Sequence, residues 1–117
     1  RRSERARIMA SAATQATDRW QHPVELVADA QRGGIQMVLR WQSRGFNRAL
    51  LVHAPPLDGA DPHIEIHAAV RALEPGLPPY DRPLNRVDGQ PNVDELAGYI
   101  RRALDTVDGW DGALTMN

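Results

Sequence analysis

The sequence predicts an α+β domain in which a four-stranded antiparallel sheet is flanked by an N-terminal and a C-terminal helix. Three observations support this prediction. Apolar residues recur at helical spacing near both ends of the chain, they alternate with polar residues in the middle, and glycine-containing turns separate the alternating segments. A chain of 117 residues is also the length of one ordinary domain. We therefore expect a single domain over residues 1–117, in the order α-β-β-β-β-α.

The first predicted element is a helix over residues 3–20. Ser3 is a favourable N-cap, and apolar residues follow it at helical spacing as far as Trp20. His22-Pro23 ends the helix because a residue that precedes proline is displaced from the helical region. Alanine dominates the apolar face, so we expect this helix to depend on tertiary or partner contacts.

Residues 23–73 are predicted to form the antiparallel sheet. The first two strands alternate apolar and polar side chains on either side of a turn at Arg32-Gly33 or Gly33-Gly34. When Gln31 pairs with Gly34, every apolar position of one strand faces an apolar position of the other. This agreement fixes the predicted register, since a slip of one residue would turn a whole strand over.

The third strand is predicted from Phe46 to about Ala54, after a three-residue turn at residues 43–45. We expect Gln42 to pair with Phe46 across this turn. That register puts Arg48 on the face opposite the core and His53 on the core face. The prediction depends on the length of the turn, because one residue more or less exchanges the two faces.

A fourth strand is predicted from His63 to about Leu73, and the sheet is predicted to end there. Residues 74–91 contain five prolines and two glycines, which favour a long loop. The last helix is predicted over residues 92–108, with a capping box at Asn92 and Glu95 and an apolar stripe behind it. We expect this helix to cover the core face of the sheet.

Composition excludes several kinds of chemistry. All 14 basic residues are arginine and there is no cysteine, so the chain has no Schiff-base lysine, thiol nucleophile, disulfide or cysteine metal site. A net charge of −1 gives no general attraction to nucleic acid or anionic membranes. Arginine-rich, lysine-free usage is typical of a GC-rich bacterial genome, and no apolar run is long enough for a membrane span or a secretory signal. We expect a cytoplasmic protein with no cofactor and no membrane partner.

The predicted hairpin between the second and third strands concentrates arginine on the face opposite the core. In the expected register Arg40 and Arg48 face each other, and Phe46 faces Arg71. Guanidinium groups bind anions through paired donors, and an aromatic ring adds a stacking surface. The predicted binding residues are therefore Arg40, Arg44, Phe46, Arg48 and Arg71.

The same face carries a short apolar row, predicted to include Val27, Val38 and Leu50. An apolar row rimmed by charge is seldom left bare, so the first helix, a second copy of the chain or another protein should cover it. The leading prediction is a small non-catalytic binding or assembly module that acts through this sheet face on a protein partner, most simply as a homodimer.

Two alternatives stay open at the level of the sequence. The first is a nucleic-acid-binding domain that uses the arginines of the hairpin. The second is a metal- or histidine-dependent enzyme, because His63, Glu65 and His67 alternate along one strand and so point to the same side. No nucleophile motif or phosphate-binding loop accompanies them. The sequence therefore favours binding over catalysis.

Overall fold

A computed structural model of the chain describes residues 2–31, 34–57, 61–76 and 79–111. Its elements, in chain order, are α1 (Arg2–Thr17), β1 (Glu25–Gln31), β2 (Gly34–Ser43), β3 (Phe46–Ala54), β4 (His63–Ala72), β5 (Tyr80–Asp88) and α2 (Val93–Gly109). The strands form one antiparallel sheet in the order β1-β2-β3-β4-β5. The α+β class is confirmed, and the sheet has five strands where four were expected.

The fifth strand lies inside the segment that was predicted to be a loop, residues 74–91. Pro83 pairs with His67 next to an irregularity of the ladder between Ile66 and His67. Proline lacks a backbone donor and is tolerated at sheet edges and bulges, and β5 is an edge strand. The bulge also changes which residues of β5 face the core, so the strand shows no regular alternation that the sequence could reveal.

The predicted register of the first hairpin is confirmed. Gln31 pairs with Gly34 and Leu26 pairs with Leu39, while the turn residues Arg32 and Gly33 lie outside the described part of the chain. β1 is nevertheless an edge strand with little cover, and Leu26 is 38% exposed.

The predicted register of the second hairpin is wrong by one residue. The turn contains only Arg44 and Gly45, with φ angles of 48° and 83°, and Ser43 pairs with Phe46. Two positive φ angles are typical of the two-residue turn whose twist matches that of the strands. Because the turn is one residue shorter than expected, β3 presents the opposite side chains to the core.

Both helices pack on the same face of the sheet and contact each other. The core between them and the strands is formed by Met9, Ala12, Ala13 and Ala16 of α1, by Leu96, Ile100, Leu104 and Val107 of α2, and by alternate residues of β2, β3 and β4. The capping box at Asn92 and Glu95 is confirmed. Within the described residues, neither helix has the length and apolar character that a membrane crossing requires.

Candidate functional site

The side of the sheet away from the helices, here called the open face, is covered by no other element that the structure describes. Strand pairing arranges its side chains in rows that cross the sheet. The central row contains Val27, Val38, Leu51, His67 and Pro83. On one side lies the alanine row, with Glu25, Arg40, Ala49, Ala69 and Asp81, and on the other lies the histidine row, with Gln36, His53, Glu65 and Arg86.

The five predicted binding residues do not come together. Arg40 and Arg71 lie on the open face, as expected, and both are exposed. Arg44 lies in the turn at the end of the hairpin. Phe46 and Arg48 point instead to the side of the helices, where both are buried, because the register of β3 differs from the prediction.

Arg48 has a structural environment rather than a binding one. It is 1% exposed, and its guanidinium donates to the backbone oxygens of Ser43, Val107 and Trp110. The last carbonyls of a helix lack partners within the helix and carry a partial negative charge. Arg48 therefore supplies hydrogen-bond donors to the carbonyl oxygens at the C-terminal end of α2 and joins this end to the β2–β3 hairpin.

Asp108, in the last turn of α2, is the second buried charge of this region. Its carboxylate accepts hydrogen bonds from Ser43 Oγ at 2.6 Å, from Trp41 Nε1 at 2.9 Å and from Gln21 Nε2 at 2.9 Å. His22 Nε2 lies 3.1 Å away. Burial acts to raise the pKa of Asp108, but the donated hydrogen bonds outweigh burial and lower this pKa to about 2.

Contacts between Arg44 and α2 stabilise the two-residue turn of the hairpin. Its guanidinium donates to the backbone oxygen of Asp108, and it lies 3.6 Å from the carboxylate of the same residue. A non-glycine residue at positive φ costs free energy, and these contacts with α2 offset part of that cost. The turn that sets the register of β3 is thus stabilised by a residue of α2 that lies 64 positions away in the chain.

Aromatic side chains complete the buried region around Arg48. The ring of Phe46 lies 5.4 Å from Trp110 and 5.1 Å from the Arg48 guanidinium, and Trp110 stacks on Tyr80 at 4.8 Å. Trp20 packs edge-on against Trp41 nearby. Phe46, predicted as a contact residue for a partner, therefore serves the fold in this structure.

The open face has a depression of about 470 Å³ at the end near the hairpin turn. Its base is formed by Ala49 and Ala69, which are small, and longer side chains rise at its margins, among them Arg40, Arg71 and Asp81. Arg40 is held by Glu25 at 2.9 Å. Arg71 and Asp81 form no hydrogen bond or ion pair with any residue that the structure describes.

The opposite end of the open face brings three of the four histidines to one carboxylate. His63 Nε2 lies 2.8 Å from Glu65 Oε2, and His67 Nε2 and His53 Nδ1 lie 3.6 and 3.8 Å from Glu65 Oε1. The sequence placed His53 on the core face, and the shifted register moves it here. The sequence of β3 contained a signal for this register, because Leu50 and Val52 form a face that is as apolar as the face of Ala49 and Leu51.

Protonation in this cluster follows from its hydrogen bonds. Both ring nitrogens of His63 face acceptors, Glu65 on one side and the backbone oxygen of Asp61 on the other. These two bonds raise the pKa of His63, against the smaller opposing effects of burial and of Arg86. The bond from His63 lowers the pKa of Glu65. A charged pair of His63 and Glu65 is therefore favoured on this side of the sheet.

The cluster has the residue types of a metal site without the arrangement of one. Across residues 2–31, 34–57, 61–76 and 79–111, no three or more histidine or carboxylate side chains are placed to hold a metal ion. Glu65 occupies the middle of the cluster and the imidazoles surround it. The metal hypothesis for His63, Glu65 and His67 gains no support from this geometry.

The structure thus separates two kinds of site that the sequence had merged. The arginine and aromatic network around Arg48 and Asp108 is buried and joins the hairpin to α2. The open face carries an alanine-lined depression at one end and the histidine–glutamate cluster at the other. No family model, no curated protein and no solved structure matches the chain.

Proposed function

We propose that the chain is a small non-catalytic assembly module that binds a second copy of itself through the open face. The observation that supports this most directly is the position of α1. The sequence left three candidates to cover the open face, and α1 packs beside α2 on the opposite side of the sheet. An external partner is the explanation that remains.

The composition of the open face suits a protein partner. Its central row is apolar over much of its length, and Val27 is 44% exposed there. Val38 lies beside Val27 on the neighbouring strand, and Leu51 lies beside Val38 at the middle of the face. Polar and charged rows flank the central row on both sides. An apolar centre with a polar rim is the usual organisation of an interface between proteins.

The size of the open face also suits a pair of copies. The five strands are about nine residues long. With a spacing of about 4.8 Å between strands and a rise of about 3.3 Å per residue, they give a face of about 700 Å². Two copies face to face would bury about 1,400 Å² in total, within the range of stable protein interfaces. Two sheets packed in this way form a sandwich, a common way for antiparallel sheets to bury a second face.

Assembly by adding strands at the β5 edge is less favourable. β5 carries Pro83 and the charged residues Asp81, Arg82 and Arg86, which are features that hinder pairing of an edge strand with another chain. The centre of the open face, in contrast, is apolar at Val38 and Leu51. We therefore favour the face over the β5 edge as the place of contact.

Binding of nucleic acid through the open face receives less support. Phe46 and Arg48, two of the residues on which that alternative depended, are buried under the helices. Arg40 and Arg71 remain on the face, but Glu25, Asp81 and Glu65 accompany them. A surface on which opposite charges nearly balance gives little electrostatic attraction to phosphates.

The decisive experiment is the solution mass by light scattering, measured over a range of protein concentrations at low and high salt. We expect twice the chain mass of 13.0 kDa, with little change at high salt because the centre of the contact is apolar. Leu51→Asp should give a monomer, because it puts a charge at the centre of the contact.

The matched control is Leu57→Asp, at a leucine that is 40% exposed and follows β3 outside the sheet. This variant should keep the mass of the wild type. Circular dichroism and thermal unfolding of both variants establish that they fold. A wild-type monomer at all concentrations, or a dimer that Leu51→Asp leaves intact, would refute the proposal.

A further inference from the structure

We propose, resting on the proposed self-association, that two copies pack with their β3 strands antiparallel across a two-fold axis at the central row. In this arrangement the His53 and Glu65 side chains of each copy fill the alanine-lined depression of the other. The inference names the partner surface and its orientation.

The order of the side chains along β3 suits such an axis. Leu51 lies in the middle of its open side, with Ala49 two residues before it and His53 two residues after it. A two-fold axis that crosses the strands at Leu51 puts Leu51 against its own copy and Ala49 against the partner's His53. The smallest side chain on this strand face thus meets one of the largest, which is the shape relation that close packing requires.

The neighbouring strands repeat the same relation. On β4 the axis puts Ala69 opposite Glu65, so the second alanine of the depression also meets a larger side chain. On β5 it puts Asp81 opposite Arg86, a pair of opposite charge. Asp81 has no hydrogen-bond or ion-pair partner among the described residues of one copy, and this arrangement brings Arg86 of the other copy to it.

The other two-fold arrangement of the same faces is less favourable. An axis parallel to the strands puts each row against itself, so that the depression faces a depression and His53 faces His53. The pairing of small with large side chains therefore favours the axis that crosses the strands.

Exchange of two side chains tests this orientation. Ala49→His and His53→Ala are each made alone and then together, and the dissociation constant of each protein is measured by analytical ultracentrifugation. The two positions lie on the same face of the same central strand. Because the double variant only exchanges two residues, it has the composition of the wild type. Thermal unfolding of each protein at low concentration serves as the folding control.

We expect Ala49→His to weaken the dimer at least about tenfold and His53→Ala to weaken it by a smaller factor. The exchanged double variant should return to within about threefold of the wild type, because each pair across the axis is restored. A double variant as weak as Ala49→His would overturn this orientation while the dimer itself stands. A monomeric wild type would overturn the proposed function, and this inference with it.

Discussion

Arg48 and Arg40 lie on neighbouring strands of one sheet, yet their surroundings differ completely. Arg48 is 1% exposed beneath the helices and donates to three backbone oxygens, whereas Arg40 is exposed on the open face beside Glu25. A buried guanidinium must have its donors satisfied, since an unpaired buried charge is very costly. An exposed guanidinium keeps its hydration, and its ion pair contributes little.

Arginine density in a sequence therefore does not by itself indicate a binding surface. On the helix side, Arg48, Arg44 and Asp108 join the hairpin to the end of α2. On the open side, Arg40 and Arg71 border a depression of the surface. The same type of side chain serves the fold on one face and, in the function we propose, recognition on the other, so substitutions on the two sides should differ in their effect on stability.

The largest effect is expected at Arg48. Arg48→Met keeps much of the side-chain volume but leaves the carbonyls at the end of α2 without this donor and removes the positive charge 3.8 Å from the carboxylate of Asp108. We expect the free energy of unfolding to fall by about 3–5 kcal/mol, as for the loss of one partner of a buried ion pair. Urea denaturation measures the change.

The matched control is Arg40→Ala on the open face. It removes an exposed ion pair with Glu25, so the free energy of unfolding should change by less than about 1 kcal/mol. Equal losses for the two variants would contradict the division of the sheet into a structural and an open face.

Leu50 and Leu51, adjacent in β3, sharpen the same comparison. Leu50 is fully buried under the helices, and Leu51 points to the open face. Leu50→Ala should lower the free energy of unfolding by about 2–5 kcal/mol, because it creates a cavity in the core. Leu51→Ala should lower it by less than about 1 kcal/mol in dilute, monomeric protein. The reverse order would restore the register predicted from the sequence.

The free energy of unfolding should depend on pH through Asp108. Asp108 has a pKa of about 2 in the folded protein against 3.8 in the unfolded chain, so the unfolded chain takes up the proton first as the pH falls. Its contribution to stability is thus present above about pH 5 and is lost progressively toward pH 2. The loss amounts to about 2 kcal/mol.

Asp108→Asn removes this titration. We expect the variant to be less stable than the wild type at pH 7 and the difference to shrink toward pH 2. Unfolding curves at several pH values measure this difference. A gap between the two proteins that stays constant from pH 7 to pH 2 would show that the stabilising role of Asp108 does not depend on its charge.

Much of the fold could be predicted from the sequence because its signals are local. The capping box at Asn92, the apolar stripe of α2 and the alternation of the first hairpin depend on residues close together in the chain. β5 could not be predicted, because Pro83 suits an edge strand only where a bulge in the neighbouring ladder accommodates it. The strand depends on its partner more than on its own residues.

The candidate site was predicted only in part, for one physical reason. β3 is apolar on both sides, with Leu50 and Val52 on one and Ala49 and Leu51 on the other, so alternation does not say which side is buried. Arg40, Arg71 and the alternating His63, Glu65 and His67 could still be assigned to the open face. The addition of His53 and the removal of Phe46 and Arg48 required the register.

The sequence by itself determined the α+β class, both helices, four of the five strands and the absence of lysine and cysteine chemistry, because composition and local periodicity are properties of the chain alone. The tertiary structure decided the register of β3. Arg44 closes a two-residue turn while it bonds to Asp108 at the end of α2, a contact across 64 positions. The length of this turn cannot be predicted from the neighbouring residues, because a distant helix stabilises it. The turn length sets the register of β3, and the register decides which side chains of β3 lie on the open face.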